Sequence, residues 1–257
     1  MRFKAVVFDW AGTMIDFGSF APMGAFVEAF AAFQIKVTID EARAPMGMTK
    51  RDHIKAMLDN PRIAGEWEKM RGDKPAAYDV DEVYKIFVPL NEQVAARYAT
   101  LIPGALETIA YLRSKKMKIG STTGYTRSIM ARILPVAAAN GYVPDNLVCS
   151  DDLKQGRPGP LGMYQCCVDL CVYPLSAMVK VDDTEPGISE GVSAGCVTVG
   201  VALSGNYIGK TPEELARMEI ADVNSLRDAA TARLKAAGAN YVIDTVADLP
   251  ALLEEIG

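Results

Sequence analysis

The sequence predicts an α/β fold: a doubly wound parallel-sheet (Rossmann-like) core with an inserted all-helical cap domain. Three observations predict it. From residue 99 onward, short apolar runs alternate with helical segments, the pattern of parallel strands joined by crossover helices. A separate apolar run, Ala5-Val6-Val7-Phe8, opens the chain and ends in Asp9-Trp10-Ala11-Gly12-Thr13. Between them, residues 17–98 read as helical without a strand run. The expected division is therefore 1–16 and 99–257 for the α/β catalytic core, and 17–98 for the helical cap domain. Active sites in such sheets lie at the carboxyl ends of the strands, where a cap can close over a substrate and exclude water.

The elements follow in order. Residues 21–33 are apolar and Ala-rich. A helix over 49–58 starts at Thr49 as N-cap, with Asp52 suited to its positive end. Helical patterns continue over 62–71 and 79–98. The core then reads helix 103–114, strand 117–122, helix 125–139, a short strand 147–149, helix 161–171 and strand 178–181. Helix 186–194, strand 196–201, helices 211–218 and 223–237, strand 241–243 and a last helix complete it. Gly209-Lys210-Thr211 imitates the end of a phosphate-binding P-loop, but Ser204 stands where that loop needs its first glycine. Thr211-Pro212-Glu213-Glu214 reads instead as a helix start with N-cap, proline and capping-box acid.

Bulk composition narrows the function classes. Of the 257 residues, half are hydrophobic and 23% are charged, so a sizeable core needs no staples. A net charge of −5 argues against nucleic acid as a partner. No uninterrupted apolar stretch is long enough to span a membrane. The chain enters its first strand without a basic leader region, so a cytoplasmic location is expected. The five cysteines show no C-x-x-C spacing, and Cys166, Cys167 and Cys171 are expected to pack within a helix. With His53 as the one histidine, a His-rich metal site is excluded.

Four strand ends carry candidate chemistry. Asp9 is a carboxylate at the mouth of the sheet. Ser121-Thr122-Thr123-Gly124-Tyr125-Thr126 offers hydroxyls before a helix N-terminus, suited to phosphate oxygens. Gly156-Arg157-Pro158 holds a guanidinium able to clamp phosphate. Asp182-Asp183-Thr184 offers carboxylates for a hard divalent cation such as Mg²⁺. The two acids are adjacent, so on a strand they would point to opposite sides. In the cap, Lys50 and His53 are three residues apart and share a helix face. Most helical lysines are solvated charges. Here the helix N-terminus and nearby methionines would lower the amine pKa, and a neutral amine can form a Schiff base with a carbonyl.

The first strand end resembles the opening motif of the haloacid dehalogenase superfamily, whose phosphatases usually read Asp-x-Asp-x-Thr. The second acid, which protonates the leaving oxygen there, is Ala11 here. The likeness then narrows. Phe20-Ala21-Pro22, Pro45-Met46-Gly47 with Lys50 and Asp52-His53, Pro61-Arg62-Ile63-Ala64, Gly120 to Arg127, and Gly156-Arg157-Pro158 resemble the phosphonoacetaldehyde hydrolases (phosphonatases) over nearly the whole chain.

The resemblance implies hydrolysis of phosphonoacetaldehyde to acetaldehyde and phosphate, in 2-aminoethylphosphonate degradation. It implies Asp9, Lys50 and His53 as catalytic residues, with His53 moving protons near neutrality. Thr123, Gly124, Arg157, Tyr125 and Met46 would bind substrate. Asp9, the Ala11 carbonyl and Asp183 would hold Mg²⁺, and a homodimer is implied. Asp182 stands where glycine is common, and Gly187 where many relatives carry a further acid. Ser19 stands where a relative has cysteine, and no catalytic role is assigned to it. Two rivals remain at this point: a capped phosphatase or phosphomutase of the same superfamily acting on a phosphate ester, and a non-catalytic phospho-ligand sensor.

Overall fold

In the computed structural model, which describes residues 2–257, five parallel strands form one sheet. They are β1 (Ala5–Phe8), β2 (Lys118–Ser121), β3 (Met178–Asp182), β4 (Val197–Val201) and β5 (Tyr241–Ile243), in the order β2-β1-β3-β4-β5. The first strand thus lies inside the sheet between β2 and β3, where the order reverses, which is the topological switch point of an open α/β sheet. The helices before β2 are α1 (Ala21–Ala31), α2 (Ile39–Arg43), α3 (Lys50–Asp59), α4 (Pro61–Arg71), α5 (Ala77–Ala95) and α6 (Ala105–Ser114). Those after it are α7 (Arg127–Ala139), α8 (Leu161–Leu170), α9 (Glu185–Ala194), α10 (Pro212–Arg217), α11 (Ile220–Ala236) and α12 (Leu249–Ile256).

Double winding follows from the pleat. Alternate residues of β1 face opposite layers. Val6 and Phe8 join Leu112, Ile129, Ile133 and Leu253 on one face. Ala5 and Val7 join Met163, Cys166 and Leu170 on the other. All four residues of β1 are buried, as a strand covered on both sides requires. The helices between β1 and β2 keep a separate apolar cluster built on Phe26, Phe30, Ile54, Trp67 and Phe87. Phe26 stacks on Phe87 with ring centroids 4.1 Å apart.

Two expectations are corrected. The run 147–149 is not a strand of the sheet; one bridge between Thr122 and Val148 remains. The Asp152 carboxylate takes the Cys149 amide at 2.7 Å, which ends pairing after a single residue. Cys171 lies beyond α8 in a left-handed turn and is exposed, while Cys166 is buried and Cys167 is half-buried. The other reading of 211–218 holds: Thr211 caps α10 in a capping box with Glu214.

The helical cap sits against the carboxyl edge of the sheet. Gly47 adopts φ +91°, and a Cβ there would collide with the Thr184 hydroxyl of the core. Arg43 donates to the Gly18 carbonyl at 2.7 Å and to Asn206 Oδ1 at 3.1 Å, tying α2 to two core loops.

Candidate active site

Strand register builds the floor of the site. Phe8 aligns with Ser121 on one side and with Val181 on the other. The next residues, Asp9, Thr122 and Asp182, therefore leave the sheet side by side. Strand alternation does not separate Asp182 from Asp183, because β3 ends at Asp182 and Asp183 lies in the turn. Oxygens of Asp9, Asp182 and Asp183 all lie within 4.8 Å of one another, and all three residues are buried.

The three carboxyls differ in charge state. Burial first, then repulsion from Asp182, pushes Asp9 up to about 6, against the pull of Arg157 and Lys180. Burial and the Asp9 and Asp182 charges raise Asp183 well above the carboxylate range, although it accepts from the Asn206 amide at 2.8 Å and Thr13 Oγ1 at 3.2 Å. Burial also opposes ionisation of Asp182, but the Arg157 and Lys180 charges overcome it and hold its carboxyl below the ordinary range. Three buried acids in one place, two of them held high by burial and then by repulsion from their neighbours, fit a divalent cation that would offset both. Gly187 leaves the space that the Asp182 carboxylate fills, since a Cβ at 187 would collide with it.

Arg157 forms one wall. Its Nη2 lies 2.9 Å from Asp9 Oδ1 and 3.3 Å from Asp182 Oδ2. Nη2 also donates to the Thr122 carbonyl at 2.9 Å, and Nε donates to Glu190 Oε2 at 3.1 Å.

The cap supplies the opposite wall. Thr49 caps α3 by accepting from the Asp52 amide, and Lys50 is the first residue of that helix. Lys50 is 4% exposed, with Nζ 4.8 Å from the Tyr125 ring centroid and 5.7 Å from that of Phe26. Among the described residues it has no carboxylate within ion-pair distance. Burial brings its amine down to about 8; the Asp9 charge opposes this and Arg157 adds to it.

One small cavity brings together Asp9, Ala11, Met46, Lys50, Thr123, Gly124, Tyr125 and Arg157. Asp183, with an oxygen within 4.8 Å of one from Asp9, is not among the residues that line it. His53 is also off the wall. It is fully buried, its Nε2 lies 2.8 Å from the Ala42 carbonyl, and its ring stacks on Phe26 at 3.9 Å. Burial, then the Lys50 charge, lowers its pKa well below the usual histidine value, so the ring is neutral. With Nε2–H donated to Ala42, Nδ1 is an acceptor without a partner. Sequence reasoning passed over Lys180 and Glu190. Lys180 was detectable as a charge inside the apolar run Met178-Val179-Lys180-Val181. Ser19 lines the cavity too, with φ +54° and a hydroxyl lacking a partner.

Sheet, cap and acid-bearing strand ends define a class of protein, and a family model of haloacid dehalogenase-like hydrolases matches residues 3–195. Phosphonoacetaldehyde hydrolase from Paraburkholderia phytofirmans is 51% identical over 253 residues, covering 98% of this chain and 95% of that protein. The enzyme of that name from Klebsiella pneumoniae is 46% identical, covering 99% and 96%. The crystal structure of a phosphonoacetaldehyde hydrolase-like protein from Oleispira antarctica superposes with a TM-score of 0.97 at 41% identity, covering 100% of this chain and 93% of that one. The chain belongs to the phosphonoacetaldehyde hydrolase family of haloacid dehalogenase-like hydrolases, and it is an enzyme.

Proposed function

We propose that this enzyme hydrolyses the P–C bond of phosphonoacetaldehyde to acetaldehyde and phosphate, within 2-aminoethylphosphonate degradation. One observation carries the reading: Lys50, buried and without an anionic partner, faces the same cavity as Asp9, and the residue two beyond Asp9 is alanine. The relatives' shared name supports the same substrate.

Breaking a P–C bond directly would expel a carbanion. The neutral Lys50 amine adds to the aldehyde; the adduct takes up a proton and expels its hydroxyl as water, giving a protonated imine next to that carbon. Asp9 attacks phosphorus in line. The P–C electron pair flows into the imine, so the departing group is a neutral enamine. Arg157 and Thr123 stabilise charge on the phosphoryl oxygens. Water hydrolyses the aspartyl phosphate, the enamine takes up a proton at carbon, and the imine is hydrolysed to free Lys50. No alkoxide forms, so an acid at position 11 would have nothing to protonate. His53 is the candidate for moving protons in the imine steps, through Nδ1. Gly124, Tyr125 and Met46 shape the substrate's surroundings.

Asp9, Asp183 and the Ala11 carbonyl would hold Mg²⁺, which when bound adds positive charge beside the phosphoryl group. In this reading, residues 1–16 and 99–257 are the catalytic core and 17–98 the cap domain. The enzyme works in the cytoplasm as a homodimer.

The test is phosphate release from phosphonoacetaldehyde with Mg²⁺, run beside a simple phosphate ester, with borohydride added in a parallel sample. Release from the phosphonate alone, with irreversible inactivation and label on Lys50, is the expected result. Turnover of the ester instead points to an ordinary phosphatase. No release from either points to a phospho-ligand sensor.

A further inference from the structure

We propose that Glu190 is a positioning residue for this reaction, acting through Arg157: it holds the guanidinium by its back edge so that the remaining edge meets the phosphoryl group. The inference rests on the reading above that the cavity receives such a group. Glu190 lies on α9 and is 2% exposed. A carboxylate buried that deeply needs partners to offset lost hydration. Its Oε2 accepts from Thr122 Oγ1 at 2.8 Å and from Arg157 Nε at 3.1 Å, and lies 3.3 Å from Lys180 Nζ.

Thr122 makes the arrangement directional. Its hydroxyl has one proton and two lone pairs. The proton goes to Glu190. The lone pairs accept from Lys180 Nζ at 2.7 Å and from Arg157 Nη2 at 2.8 Å. The hydroxyl is fully committed and its rotor is fixed. Arg157 is thereby held at Nε and Nη2, two points of a planar fork, which sets the plane of the whole guanidinium. Its Nη1 makes no hydrogen bond to any described residue, and Arg157 lines the cavity. Nη1 is the donor left for a phosphoryl oxygen.

The alternative partners of Arg157 explain why an anchor is needed. Asp9 and Asp182 both lie within ion-pair distance. A guanidinium released from Glu190, already paired with Asp9 through Nη2, would be free to turn its other donors onto the same two acids and away from the cavity. Lys180 holds the balance by standing between Asp182, at 3.0 Å, and Glu190. The fold also leaves room for the anchor. Gly162 on α8 faces Glu190 Oε1, and a Cβ there would collide with it.

The experiment compares the full-length enzyme with Glu190→Gln, Arg157→Lys and the double variant. It reads inorganic phosphate affinity by calorimetry, KM and kcat for phosphonoacetaldehyde, and the rate of borohydride trapping at Lys50. Glu190→Gln should weaken phosphate binding and raise KM, each about tenfold, with trapping unchanged, since Lys50 stands on the other wall. In the Arg157→Lys background the same change should add less than about twofold, because the two residues act as one unit. A merely structural role would slow trapping and turnover together and add fully in the double variant, which overturns the proposal. Phosphate affinity within twofold of the unaltered enzyme also overturns it. Failure of the unaltered enzyme to form a trapped imine sinks the Lys50 reading but leaves the phosphate-affinity result standing. Absence of phosphate binding in the unaltered enzyme overturns both.

Discussion

Two lysines are buried among the described residues, and the molecule treats them in opposite ways. Lys180, in the middle of the central sheet, has Asp182 at 3.0 Å, Glu190 at 3.3 Å and the Thr122 hydroxyl at 2.7 Å. Lys50, at the first turn of a cap helix, has two aromatic rings and no ion-paired carboxylate. A paired buried lysine is a fixed charge. An unpaired one is easily deprotonated and becomes a nucleophile. The core lysine therefore pairs with the acids of the site, while the cap lysine is the amine that the proposed reaction uses.

The sharpest way to break this contrast is to exchange the reactive group. Lys50→Arg keeps a cation and removes the nucleophilic amine. Turnover of phosphonoacetaldehyde should fall on the order of 10⁴-fold or more, the scale seen when covalent nucleophiles are removed. Borohydride should no longer inactivate. Full turnover in steady-state phosphate release would end the imine route.

The counterpart is Lys180→Met. It leaves Asp182 and Glu190 buried with Arg157 as their remaining basic partner. Removing one partner from a buried charge cluster costs about 3–5 kcal/mol, so denaturant unfolding should show a loss of that order. Lys50→Met, by contrast, removes a buried charge that nothing pairs. It should leave stability unchanged or raised at pH 7. Equal losses for the two methionine variants would erase the distinction.

These two lysines also mark what was legible in the sequence. The five sheet strands, the helical stretch between the first two and the place of Asp9 at a strand end could be read directly, because periodicity and strand-end acids are local signals. Lys50 was readable through its place in a helix start among methionines. Lys180 was visible as a charge in an apolar strand, but nothing local said which acids it meets. Glu190 lies 33 residues from Arg157 in the chain, and their pairing exists only once α9 packs on β3. The run 147–149 failed for a similar reason. Its strand character was local, but a side chain three residues on, Asp152, claimed its amide. His53 shares a helix with Lys50, yet packing against Phe26 takes it off the cavity wall.

A pH profile sharpens the contrast further. In the proposed reaction the neutral amine is the reactive form, and burial has lowered Lys50 from its ordinary 10.5 to about 8. The rate of borohydride trapping, measured under limiting aldehyde, should rise with pH and level off above about 8. Below that point it should fall about tenfold per pH unit. The sign for stability is the same. Between about 8 and 10.5 the unfolded chain binds a proton that the folded protein does not, so this residue's contribution grows as pH rises through that window. A trapping midpoint near 10.5 would mean that Lys50 is solvated and the cap is not seated.

The smallest predicted effect concerns that seating. Gly47 lets the loop before α3 touch Thr184 of the core, with a positive φ and no room for a side chain. Gly47→Ala introduces both a left-handed alanine and a collision, a strain of about 1–2 kcal/mol on the seated cap. The isolated folding of cap and core is untouched, so unfolding of the Lys180 side should change little. Turnover should fall about tenfold, since 1.4 kcal/mol is a factor of ten. The decisive readout is the trapping midpoint. A displaced cap returns Lys50 toward water, and its amine should then titrate above 8, nearer the ordinary lysine value. If turnover falls with the midpoint unmoved, the cap seats Lys50 by some contact other than the one at Gly47. If the midpoint rises while the sheet stays intact, the chemical difference between the two lysines is set by closure of the cap and not by the local sequence of α3.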